Sequence, residues 1–430
     1  MFGPREARHG GGVRTRHPAR ERLTTLRLGP ARPIPDENTP YAEKGLWTTG
    51  GSVSGERRVE DMTSPRPGLS PSVSVSVMSH PDRAEAARRL ADSLPELSPV
   101  VIPDPDPQGP PSALRAAGAA WAAAPEGAGH HLVLQDDARP AAGFAATLER
   151  VLRAHPEAAV SLFVEWGSRT AVLARWAVYT GAGAVPVVNP YVPTVALALP
   201  AEHARALGRF LTTADEDEAD DRAVLRFVRR SGLAPLVAVP NPVEHDDRPS
   251  LVGNSDHGIR RSACFTPSPA ADLSPAVLEP PRFLPFLRWN IGTPVLIDLD
   301  HDVPEAHRPL AEVLDAWGLS KDDRSEALRK GVEAGTLSEV VPEPHLTALW
   351  HTVVAEGVVL RSRWPEVVDS LRSRADGPTV RAALASLAPG ALRCLVDVEA
   401  LARHEAEVVD LVLAGLEYGA AHGRLPKGWT

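Results

Sequence analysis

His131-Leu132-Val133-Leu134-Gln135-Asp136-Asp137 is an apolar run that stops abruptly in a polar triplet ending in two carboxylates. A run this short, bounded by turn-forming residues, reads as a buried strand with a wet carboxyl end. Working back from it, Ser72-Val73-Ser74-Val75-Ser76-Val77-Met78 alternates with period two and reads as a first strand. Its serines are small enough for a parallel strand, which is usually apolar on both faces. Residues 79–83 form the following turn, and Ser79 or Asp82 caps a helix over 84–94 with Ala87, Leu90, Ala91 and Leu94 on one face. Residues 99–102 read as a second strand, ended by Pro103-Asp104-Pro105-Asp106-Pro107. An alanine-rich helix over 112–124 leads back to the opening strand. Beyond it, 140–155 reads as a helix and 159–164 as a fourth strand. Strands and helices alternating at a spacing of roughly 30 residues argue for an α/β fold, a mostly parallel sheet with covering helices. Such sheets take ligands beyond the carboxyl ends of their strands. The polar segments 79–83, 104–106 and 135–137 are therefore expected on one rim.

After Trp166 the pattern weakens. Residues 177–178 and 184–188 read as short strands, 200–210 and 223–230 as helices, 235–239 as a strand and 241–250 as a polar loop. Between the helices lies an acidic run, Asp215, Glu216, Asp217, Glu218, Asp220 and Asp221. The expected domains are 1–71, 72–264 and 286–430, with a Pro-rich linker over 265–285. The last domain reads as mainly α-helical. Residues 1–71 show no sustained period and are expected to be disordered. Alternatively, residues 1–61 lie upstream of a true start at Met62.

Composition narrows the function. The chain has 430 residues, is 43% hydrophobic and carries a net charge of −9. Residues 1–61 hold 11 Lys and Arg against 8 Asp and Glu, a balance of +3 that leaves −12 on the rest. An acidic body argues against nucleic acid, whose binding needs many cationic contacts to phosphate. With two cysteines, Cys264 and Cys394, and no CxxC, a cysteine zinc site or disulfide framework is excluded. No apolar run is long enough for a transmembrane span or signal peptide, so a cytoplasmic location is expected.

Two adjacent carboxylates repel, so Asp136 and Asp137 need hydration, hydrogen bonds or a cation. Mg2+ or Mn2+ prefers oxygen ligands and bridges carboxylates to substrate phosphates. The plainer alternative is that Asp137 caps the next helix.

Leu132-Val133-Leu134-Gln135-Asp136-Asp137-Ala138 resembles the strand followed by (Glu/Gln)-Asp-Asp-Ala of GT-A glycosyltransferases, notably the lipopolysaccharide-type family 25, where it replaces Asp-x-Asp. Residues 74–83 resemble the first strand and nucleotide loop of that fold. Pro240-Asn241-Pro242-Val243-Glu244-His245, followed by Pro249-Ser250-Leu251, resembles its late Pro-x-(Leu/Val)-x-(His/Gln)…Ser segment. The resemblance covers residues 72–264 and implies a GT-A-like, Rossmann-like domain. It implies sugar transfer from a nucleoside diphosphate sugar, assisted by Mn2+ or Mg2+, to an acceptor such as a cell-envelope glycan or secondary metabolite.

On that resemblance Asp136, Asp137 and His245 are the metal candidates, and Ser79, His80, Arg83, Asp104 and Asp106 the nucleotide-binding candidates. An inverting reaction also needs a general base for the acceptor hydroxyl. Asp217, Asp220 and Asp221 are the candidates, although acids at a helix start also serve its dipole. Glu165-Trp166 is a weaker pair. Gln135 stands where an acidic residue is common in that group. The C-terminal region also holds His301, His307 and His345, while Trp350-His351 and Arg403-His404-Glu405 read as surface or core-edge residues. The competing reading is a non-catalytic α/β scaffold whose helical domain recruits a protein partner or a second copy. A nucleotidyltransferase is a weaker alternative, because residues 79–83 contain no Gly-rich phosphate loop.

Overall fold

The computed structural model describes residues 72–430 except 111, 216–217, 247, 249–256, 269–273, 304–305, 334 and 430. The first domain, 1–71, and the start-site alternative lie outside the described residues.

The alternating segment forms β1 (Val73–Ser79), followed by α1 (Ala84–Asp92), β2 (Val100–Pro103), α2 (Ala113–Ala122) and β3 (His130–Leu134). β1 lies between β2 and β3, parallel to both, with Val77 opposite Val101 and Leu134. Ser74 has partners inside the layer: its hydroxyl lies 2.8 Å from His131 Nδ1, and His131 Nε2 lies 3.0 Å from the Ala120 carbonyl. A polar thread thus crosses an apolar layer with its groups hydrogen-bonded.

β4 (Ala138–Pro140) follows, then α3 (Phe144–Ala154), β5 (Ala158–Ser161), α4 (Arg169–Thr180), β6 (Ala184–Pro186) and β7 (Ala196–Pro200). Next come α5 (Ala201–Leu211), α6 (Asp220–Ser231), β8 (Ala234–Ala238) and β9 (Val243–His245). The seven-stranded sheet has the order β2-β1-β3-β7-β5-β8-β6. Five strands run one way; β7, between β3 and β5, and β6, at the edge, run against them. The expected α/β sheet with covering helices is present. α1 and α3 cover one face of its β1–β3 half, while α2, α5 and α6 cover the other.

Three local readings differ. Residues 177–178, read as a strand, lie inside α4. Every residue from Arg169 to Tyr179 in that helix is buried, which erases the amphipathic period that marks a surface helix. β7 lies in a stretch whose sequence carries no strand pattern, because its alanines have weak strand preference, and its last residue, Pro200, precedes α5 rather than opening it. The helix expected from residue 140 begins at Phe144, because 138–140 pair with β9 instead. The cap of α4 is Ser168, whose Oγ accepts from Ala171 N at 3.2 Å. Ser168→Ala should lower stability by about 1 kcal/mol, seen as a lower urea midpoint at unchanged slope.

The C-terminal region opens with an antiparallel sheet of β10 (Phe283–Arg288), β11 (Thr293–Asp298) and β12 (Arg308–Pro309). The boundary read at 285–286 therefore falls inside β10. Helices follow: α7 (Leu310–Ala316), α8 (Lys321–Val332), α9 (Leu337–Val340), α10 (Glu343–Arg363), α11 (Pro365–Arg374), α12 (Pro378–Ala385), α13 (Leu387–Leu392), α14 (Val398–Arg403) and α15 (Glu405–His422). A single hydrophobic cluster holds α4, the β10–β11 pair, α10 and α15 together. α10 and α15 approach closely at glycines. A Cβ on Gly357 would lie 2.2 Å from the Leu416 carbonyl oxygen, and one on Gly419 would lie 2.0 Å from that of Val354. Among the described residues no helix is long and apolar enough to cross a membrane.

Candidate functional site

Because β1, β2 and β3 are parallel, the segments after them emerge on the same edge of the sheet, and side-chain contacts tie them together. Arg83, after β1, places Nη1 2.9 Å from Asp136 Oδ1 and 2.9 Å from Asp137 Oδ2, after β3. The Asp104 amide, after β2, donates to the Ser79 carbonyl at 2.9 Å.

β9 runs antiparallel to β4 and sets His245 opposite Ala138, next to the carboxylates. His245 Nε2 lies 3.4 Å from Asp137 Oδ2, and the Phe163 ring covers the imidazole with centroids 5.9 Å apart. Both residues are buried, His245 to 3% and Asp137 to 6% exposure. Buried polar atoms normally find partners; here the imidazole meets Asp137 only through the 3.4 Å approach of Nε2 to Oδ2, while Asp137 Oδ1 and His245 Nδ1 are left without a hydrogen bond. Burial pushes the Asp137 carboxyl up, but His245 and Arg83 outweigh it and hold the group below its ordinary range. Asp136 goes the other way, raised by burial despite Arg83. Among the described residues no three or more His, Cys, Asp and Glu side chains are grouped as a metal site.

The nucleotide candidates divide. Arg83 lies at the carboxylates. Asp104, only 3% exposed, is engaged by Arg115 through Nε to Oδ1 at 2.6 Å and Nη2 to Oδ2 at 2.7 Å, and Oδ1 also accepts from Asp106 N. That pairing, mainly with Arg115, lowers its pKa. Asp104 therefore braces the loop against α2. Asp106 is exposed, and its Oδ1 caps Gly109 N at 3.1 Å. Ser79 is buried with its Oγ 3.4 Å from the His80 carbonyl, while His80 Nδ1 accepts from Asp82 N at 3.3 Å.

Of the base candidates, Asp217 lies outside the described residues. Asp220 and Asp221 open α6. Gln135 Nε2 donates to Thr194 Oγ1 at 3.2 Å, and Thr194 Oγ1 donates to Asp220 Oδ2 at 3.3 Å. This chain carries the end of β3 to the start of α6. Burial raises the Asp220 pKa, against the hydrogen bond from Thr194. Asp221 lends its carbonyl to Val192 N at 3.2 Å.

The sequence did not mark Thr194, Arg115 or Arg393. Thr194 sits in a loop of prolines, and Arg115 is one arginine among many on helix surfaces. Arg393, beyond α13, pairs with Glu165 after β5 at 2.6 Å, stacks over Trp289 at 4.0 Å and donates Nε to the His257 carbonyl at 2.7 Å. Of the C-terminal histidines, His307 accepts at Nδ1 from Arg288 Nη2 at 2.8 Å and donates from Nε2 to Asp302 Oδ1 at 2.9 Å, and burial lowers His351 to about 4. No family model matches the chain, and no curated protein is significantly similar to it.

Proposed function

We propose that this chain is a glycosyltransferase of GT-A type that takes a nucleoside diphosphate sugar at the rim formed by β1, β2 and β3. The observation that carries the reading is the buried Asp136–Asp137 pair, with Arg83 across it and His245 against it. A mere helix cap would not need a buried histidine against it or a guanidinium shared between two acids. The polar atoms left unpaired on Asp137 and His245 suit a divalent cation, Mn2+ or Mg2+, with Asp136 adjacent. Two protein ligands are enough where substrate phosphates and water complete the shell. Such an ion would neutralise charge on the departing diphosphate.

The remaining roles fall to side chains. Arg83 supplies fixed positive charge for phosphate oxygens. Asp104 and Arg115 keep the loop after β2 in place. Asp220, with its pKa raised by burial and its Oδ2 held by Thr194, takes the proton of the acceptor hydroxyl. The acceptor class, a cell-envelope glycan or secondary metabolite, belongs to the same proposal, as does a helical region that meets a partner.

Titration calorimetry with UDP and with GDP, each with and without Mn2+, tests the reading. Binding at least about tenfold stronger with Mn2+, and lost in Asp137→Ala with the fold intact by circular dichroism, is expected. No binding of either nucleotide at millimolar concentration would favour the non-catalytic scaffold.

A further inference from the structure

The cationic centre of the site is already filled by a side chain. One nitrogen, Arg83 Nη1, is equidistant at 2.9 Å from an oxygen of each of two consecutive acids. The three side chains are nearly shut off from water, at 14% exposure for Arg83, 10% for Asp136 and 8% for Asp137. Two neighbouring carboxylates in such a place require a positive charge between them. Arg83 provides it, while His245 Nε2 stands 3.4 Å from Asp137 Oδ2. The guanidinium thus balances the charge of the acids and leaves Asp137 Oδ1 and His245 Nδ1 without a hydrogen bond.

Resting on the reading above, we infer that Arg83 is an exchangeable counter-ion. Asp137 and His245 would hold a divalent cation in its place, and the Arg83 guanidinium, released from the carboxylates, would turn to the diphosphate of the nucleotide. No bond is made or broken, and the exchange conserves charge pairing: the acids pass from guanidinium to metal, and Arg83 from carboxylate to phosphate. Arg83 is suited to this because it sits at the entry to α1, after a short turn, rather than within a strand. Its planar fork serves carboxylate and phosphate equally well. The consequence is that metal and nucleotide bind together or weakly. Metal alone must evict Arg83 with no new partner for it, whereas the diphosphate supplies one.

Calorimetry on the full-length chain separates this exchange from a structural role, because the two predict different signs. Arg83→Met keeps the length of the stem and removes the charge. It is expected to bind Mn2+ alone roughly tenfold or more tightly than the wild type, since the competitor is gone. It is also expected to bind UDP, or GDP if that is the nucleotide bound, more weakly at saturating Mn2+, since the phosphate partner is gone. A purely structural arginine would weaken both. Mn2+ affinity in Arg83→Met equal to or below that of the wild type overturns the exchange while leaving the metal reading standing. Absence of Mn2+ binding in every variant overturns both. Tight metal binding with no nucleotide binding in any variant keeps the first half of the exchange, overturns the second half and sinks the sugar-donor reading. Should Arg83→Met fail to fold, Arg83→Lys serves: its ammonium lacks the planar fork, so Mn2+ affinity above that of the wild type is expected, and unchanged affinity overturns the inference.

Discussion

Gly419→Ala should destabilise the protein by about 3 kcal/mol or more, although alanine is the better helix former by about 1 kcal/mol. The reason lies at the crossing of α10 and α15. A methyl at Gly419 would stand 2.0 Å from the Val354 carbonyl oxygen and 2.9 Å from its carbon, both backbone atoms that cannot rotate aside. Gly357 is in the reciprocal position, with the Leu416 carbonyl oxygen 2.2 Å from its would-be Cβ. Relief requires moving two helices apart inside the largest hydrophobic cluster, which opens voids all along the seam. Once the helices have separated, the second methyl finds room. Gly357→Ala/Gly419→Ala should therefore cost clearly less than the sum of the single variants. Urea unfolding of the three variants checks this. A loss below about 1 kcal/mol for Gly419→Ala, or strict additivity, would contradict the close crossing.

Glu356→Gln should make stability far less sensitive to pH between about 5 and 8. Glu356 lies on α10 at 1% exposure, and Trp176 Nε1 from α4 donates to its Oε2 at 2.9 Å. Burial raises its pKa from 4.5 to about 7, against the pull of the Trp176 hydrogen bond and the Arg175 charge. Below about pH 4.5 the carboxyl is protonated in both states and costs nothing. As pH rises from there to about 7, the unfolded chain ionises while the folded chain holds its proton, so stability falls. Above about 7 the deficit is constant, at about 3 kcal/mol. Glutamine keeps an oxygen for Trp176 and cannot ionise. Any fixed cost of its amide is the same at every pH, so the variant should gain about 3 kcal/mol on the wild type from pH 4.5 to 8. Parallel stability profiles in urea titrations at pH 5 and 8 would show that Glu356 is not a buried neutral acid.

The parts of the fold visible in the sequence are those with a simple local period. Ser72 to Met78 alternates, the first strands and helices follow in steady rhythm, and the polar segments after them meet as expected. What escaped has a physical cause in each case. α4 is covered on all sides, so its sequence carries no polar stripe to set a phase. β7 is short and alanine-rich, and enters the sheet against the prevailing direction. In the site, the adjacent carboxylates and Arg83 were legible as residues, while their mutual contact was not. Arg83 and Asp137 are 54 positions apart, and such pairing is decided by the sheet. The Asp104–Arg115 brace and the route from Gln135 through Thr194 to Asp220 are of the same kind. The glycine spacing at Gly415, Gly419 and Gly423 was in plain view, but its meaning depends on which backbone lies opposite.

The hydrophobic cluster around α4 has a consequence for how this chain can be cut or recombined. That helix lends its flanks to two halves at once, so neither half is a self-sufficient building block. A fragment ending near residue 264 would carry a bare oily wall into water, the kind of surface that drives clumping. The seam that composition draws at 265–285 separates stretches that share one hydrophobic cluster and is a poor place for scissors.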